Sequence, residues 1–231
     1  MAGVDVDVHI PKFGAPDFSL TARQLGQNSR PSGHGSASSD VWELVRLVNG
    51  KVSLDPQDVA QVGKCNFVKD LSVRVDFGLE YFVAKELQDN ITNAAQAGDK
   101  GQANFHRSLL LKIKSHAQQH YEQFVDVITT WEGDIKADLL KTLPTDKKPT
   151  SLQELQIKQG IGTLVADWVV ELEFRLTRRA YDWEKLDYPH IAAQMKADPR
   201  ASVFMPMGFS FPPAPTKPAA RRKIIFPACR P

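Results

Sequence analysis

The chain has 231 residues, 42% of them hydrophobic, with 29 basic and 27 acidic side chains and a formal charge of +2. That is enough apolar material for one main domain with flanking segments. No run of about 18 uncharged apolar residues exists to span a bilayer, because Asp167, Glu171, Glu173 and Arg175 interrupt the richest one. The N-terminus carries Asp5 and Asp7 where an export signal needs a basic and then an apolar run, so a cytoplasmic or particle-associated location without classical secretion is expected.

Charge is unevenly spread. Residues 199–231 hold six bases and no acid, and residues 1–39 hold three of each, which leaves 20 bases against 24 acids in the body. An acidic body with a basic tail is a pattern that meets acidic surfaces or nucleic acid. Cys65 and Cys229 form no CxxC motif and no disulfide framework, and reduced thiols are expected, with a single tail-to-body disulfide as the competing reading.

In chain order, Val4, Val6, Val8 and Ile10 alternate with Asp5, Asp7 and His9, which is the period of a strand. A single strand needs a partner elsewhere in the molecule or on another chain. Three prolines and a Ser/Gly-rich stretch then make residues 11–39 a linker, so residues 1–39 read as an extended arm. Val41, Leu44, Val45 and Val48 give a short helical face ended by Asn49-Gly50, with a hairpin turning at that dipeptide as the competing reading. Asp55-Pro56 starts a second short helix that Gly63 ends.

Phe67, Leu71, Val75, Leu79, Phe82, Leu87 and Ile91 predict a long helix over 66–97, although Leu71, Val73, Val75 and Phe77 also alternate by two, as a strand over 70–77 would. After the reversal at 98–101, a proline-free stretch carries Phe105, Leu109, Ile113, Ala117, Phe124, Ile128, Trp131, Ile135 and Leu139 at helical spacing to Lys141. The segment 143–150 turns the chain again, and a Ser151/Glu154 capping box opens a third long helix through about Leu186. Pro189 and a short helix over 190–197 follow. The expected fold is therefore mainly α: an up-down bundle of three long helices over 40–198, with two short N-terminal helices and extended arms at 1–39 and 199–231.

The last segment is proline-dense, basic and rich in large apolar groups, which suits an arm that packs on a surface. Partner-binding residues are accordingly expected at Val4, Val6, Val8, Ile10, Phe204, Phe209, Phe211, Ile224, Ile225 and Phe226. The function that follows is a non-enzymatic structural or assembly subunit, in the manner of a viral or phage particle component, whose partner is a second copy or another protein. One alternative is a DNA-binding regulator, with 55–75 as a helix-turn-helix and Arg221, Arg222 and Lys223 on phosphates. A second alternative is a metal-dependent bundle enzyme.

That second alternative rests on His116 and His120, whose spacing of four puts both imidazoles on one helix face, where they can share a metal ion. Counting from the two reversals places Glu80 and Glu171 at the same level. The Glu-x-x-His repeats of di-iron bundles are absent, as are GxSxG, GxxxxGK[ST] and GxGxxG, and no cofactor is expected.

Overall fold

The computed structural model describes residues 3–28, 42–196 and 214–229, with the backbone alone at 49, 55–57 and 187–196. Seven elements follow one another: β1 (Gly3–His9), α1 (Ala22–Asn28), β2 (Glu43–Val62), β3 (Cys65–Val83), α2 (Lys85–Gln96), α3 (Lys100–Thr142) and α4 (Glu154–Lys196). The architecture is a three-stranded sheet, ordered β1-β3-β2, laid against an antiparallel pair of 43-residue helices that are each about 64 Å long. It is an α+β fold, and the expectation of a mainly helical three-helix bundle is overturned.

The correction lies between residues 43 and 83. The two short helices expected there, and the first half of the expected long helix, form one antiparallel hairpin of 20 and 19 residues turning at Gly63 (φ 62°) and Lys64. Both signals that were read as breaks are irregularities inside β2. The pairing slips between Val48 and Lys51, around Asn49-Gly50, and between Asp55 and Asp58, around Pro56. A proline cannot donate to the ladder, and an extra residue bends a strand without ending it. At Gly50 a Cβ would meet the Phe77 ring at 2.7 Å, so this backbone needs glycine to lie against its partner strand.

Alternation decides β3. Leu71, Val73, Val75 and Phe77 are all buried and all point to the helical layer. Beside them β1 runs parallel, with Val4 opposite Leu71, Val6 opposite Val73 and Val8 opposite Val75, so the partner of the N-terminal strand is this chain's own β3. Glu132 of α3 accepts from the Val8 amide at 2.8 Å and satisfies one donor on that edge.

The helices follow the reading more closely. Asp99 caps α3 by accepting from Gln102 N at 2.9 Å, and Ala117, Phe124, Ile128, Trp131, Ile135 and Leu139 are buried. They meet Ile157, Ile161, Val165, Trp168, Leu172 and Leu176 of α4 in one continuous core with the sheet. The cap of α4 differs from the expected Ser151/Glu154 box: the Gln153 amide donates to Gln156 Oε1 at 3.0 Å, two residues further on. Past Pro189, α4 continues without a break to Lys196. No helix among the described residues is long and apolar enough to cross a membrane.

The C-terminal strap, residues 214–229, lies antiparallel along α4 over residues 221–226. Arg222 binds Asp167, Ile224 and Phe226 lie against Gly160, and Cys229 is disulfide-bonded to Cys65 beside the hairpin turn. The expectation of reduced thiols is corrected by this bond. A spacing of 164 residues carries no pairing signal in the sequence.

Candidate metal centre

His116 and His120 sit on the buried side of α3, in the row that continues through Phe124 and Ile128. Their rings are 4.7 Å apart and nearly perpendicular. Two carboxylates reach them from other elements. Glu43, the first residue of β2, places Oε1 against His116 Nδ1; Glu184, near the end of α4, holds His120 Nε2 at 2.7 Å and lies 3.9 Å from His116 Nε2. One ligand atom from each of Glu43, His116 and His120 lies within 4.8 Å of the other two. The side chains are enclosed: His120 is 1% exposed, Glu184 9%, Glu43 12% and His116 13%.

The fold explains the convergence. Glu184 continues the row Leu172, Leu176 and Ala180 at steps of four, so it faces α3 from a position that elsewhere on α4 is apolar. Glu43 is paired with Val83 at the end of the hairpin remote from the Cys65–Cys229 bond. Phe13 stacks on Tyr81 at 4.7 Å and touches Tyr121 at 5.4 Å, which closes this end of the sheet onto α3. Burial pushes the Tyr81 phenol well above its usual range, and the charge of Glu43 adds to the shift. Further along α3, burial lowers the His106 imidazole.

Charge constrains what this cluster can hold. With neutral imidazoles and ionised carboxylates the four groups carry two negative charges in an enclosed site, and the contacts between these carboxylates and histidines are ion pairs only when the imidazoles are protonated. A buried charge persists only when it is compensated, here by two protons or by one divalent cation. Glu43 Oε2, Tyr81 OH and Gln123 Oε1 are further buried oxygens without a hydrogen-bond partner among the described residues, and Gln123 lies one turn beyond His120. An N2O donor set with additional oxygens nearby suits a first-row divalent ion such as Zn, Mn, Fe or Co.

The predicted carboxylates are not the ones present. Glu80 pairs with Arg46 at 2.6 Å, and Glu171 pairs with Arg175 and Arg221. The level expected for His120 on α4 was Leu172, whereas the contact is at Glu184, twelve residues or about 18 Å further along.

Of the other predicted residues that are described, all but Lys223 and Ile225 are engaged within the chain. Val4 is buried, and Val6, Val8 and Ile10 pack on the core. Ile224 and Phe226 pack on α4, while Ile225 is 67% exposed; Phe204, Phe209 and Phe211 lie outside the described residues. The expected helix-turn-helix at 55–75 is a β-hairpin and presents no recognition helix. Arg221 stacks 3.5 Å from the Trp168 ring centroid and pairs with Asp138 and Glu171, Arg222 pairs with Asp167, and Lys223 is exposed. No protein-family model, curated protein or solved structure matches this chain.

The Arg222 contact makes a pH prediction. Hydrogen bonds from the Arg222 side chain and amide, with the charge of neighbouring Arg221, hold the Asp167 carboxyl below the usual range. A depressed carboxyl stabilises the docked strap above its undocked value of about 3.9 and loses that contribution as pH falls through the lower docked value. Acidification from pH 5 towards this range should therefore loosen the strap, seen as a change in Trp168 emission. Asp167→Asn should flatten that titration, and an unaltered titration in the variant would exclude the contact as its source.

Proposed function

We propose that this chain is a metal-binding protein whose centre takes one first-row divalent cation on Glu43, His116 and His120. The observation that carries the reading is the convergence of these three donors, from β2 and α3, in the interior. Glu184 acts as the carboxylate that orients His120, since a ligating imidazole donates its second nitrogen to such a group. The charge balance supports the same reading, because a divalent ion neutralises the two carboxylates without protonating either histidine. The assembly reading finds less support, because β1, Arg221, Arg222, Ile224 and Phe226 are engaged with their own body.

The test is metal content. Full-length protein stripped with a chelator and reloaded separately with Zn, Mn, Fe and Co should retain one equivalent of at least one ion after desalting. His116→Ala and His120→Ala should abolish retention while circular dichroism stays unchanged. Glu184→Gln should retain the ion with about 10–100-fold weaker affinity. A folded wild-type chain that retains none of the four ions overturns the proposal.

A further inference from the structure

We propose that the Cys65–Cys229 bond is a thiol-exchangeable latch: a dithiol reductant opens it, and the strap at 214–229 then leaves α4 while the body stays folded.

The reason lies in how little else holds the strap. None of its residues is buried; Ile224 and Phe226 are only partly covered, and Ile225 points to solvent. Among the described residues its backbone is hydrogen-bonded to the body near the disulfide, where Cys229 N donates to Pro149 O and Ser151 N and Thr150 Oγ1 donate to Pro227 O, and at Arg222, whose amide donates to Asp167 Oδ2 at 2.8 Å. Its ion pairs lie at the surface, with the Arg222 side chain 65% and Arg221 36% accessible against 15% for Asp167, and surface pairs contribute little. Against this stands the conformational entropy of ordering sixteen residues, five of them from Ala214 to Pro218 with two prolines that restrict only their own φ. The covalent bond converts docking into an intramolecular event and so decides the balance.

The two sulfurs are not equally reachable. Cys65 is 1% exposed beneath the strap and Cys229 is partly exposed, so attack falls on Cys229 Sγ. A thiolate of the dithiol attacks there, and Cys65 leaves as a thiolate and takes up a proton. The second thiol of the reagent then displaces Cys229. Two electrons pass from the dithiol to the protein, which ends with two thiols while the reagent ends as a disulfide. Release uncovers the Trp168 ring face, the cleft at Gly160 and the carboxylates Asp138, Asp167 and Glu171 that had held Arg221 and Arg222.

Limited trypsin digestion of the full chain, with and without dithiothreitol, reads this directly, because Arg221, Arg222 and Lys223 lie in the strap. Cleavage there should accelerate by at least about tenfold on reduction, while α3 and α4 of the reduced chain are still cut far more slowly than the strap, as expected for local opening of a folded body. Cys229→Ser should show the fast strap cleavage without reductant. Should that variant fail to fold, the reduced wild-type chain carries the test alone. Equal strap cleavage in both redox states overturns the proposal, and so does cleavage of strap and body at the same rate in the reduced chain, which would mean that the whole fold opens with the bond.

Discussion

Replacing Trp131 with alanine will destabilise the fold by about 3–5 kcal/mol, the cost of removing a large aromatic side chain from a packed core. Trp131 has no exposed surface, and its ring meets Trp168 edge-on at 6.3 Å. Its Nε1 donates to the Trp168 carbonyl at 2.8 Å, which ties the C-terminal half of α3 to the N-terminal half of α4. Neighbouring side chains belong to long, internally bonded helices and can collapse into the void only partly. Trp131→Phe keeps most of the volume and loses mainly the hydrogen bond, so about 1 kcal/mol is expected. Urea unfolding of both variants checks this, and a loss in Trp131→Ala no larger than in Trp131→Phe would contradict the packing argument.

The second large effect is removal of the disulfide. Closing a loop of 164 residues restricts the unfolded chain by an amount that the chain-entropy relation puts at about 5 kcal/mol. The paired substitution Cys65→Ala/Cys229→Ala should therefore shift the urea midpoint down by an amount worth about 3–5 kcal/mol relative to the oxidised chain. Coincident midpoints would mean that the unfolded chain is already restricted by other contacts.

These two features were not equally legible. The long amphipathic α3 could be read directly, because Phe124, Ile128, Trp131, Ile135 and Leu139 recur at three and four with no proline between. The hairpin was obscured by arithmetic: Phe67, Leu71, Val75 and Leu79 are four apart, and a spacing of four lies on one face of a helix and of a strand alike. Only the intervening Val73 and Phe77 separate the two, and strands of 20 and 19 residues are far from the usual length of five or six. At β2, the proline and the Asn-Gly dipeptide are absorbed as bulges because β3 continues past them.

At the candidate centre the histidine pair was visible from its spacing, since both rings belong to one helix. The carboxylates were not, because Glu43 and Glu184 arrive from 73 and 64 residues away. A signal for Glu184 did exist. It stands in step with Leu172, Leu176 and Ala180, and an acidic group on an otherwise apolar row needs a buried partner. For Glu43 nothing comparable exists, because its position depends on a strand that the local pattern disguised as a helix.

The bond between Cys65 and Cys229 also makes the oxidised polypeptide a covalent ring that contains β3 and all three of the helices α2, α3 and α4, with β1 and β2 as an open tail. A single nick inside the ring, for example at the exposed Gly98–Gly101 reversal, leaves every piece attached, whereas a nick within 29–41 leaves the N-terminal strand with no covalent link to the rest of the chain. Damage to the backbone therefore has different consequences on either side of Cys65: within the ring the pieces stay covalently joined, whereas β1 is then held only by its hydrogen bonds to β3 and by side-chain packing.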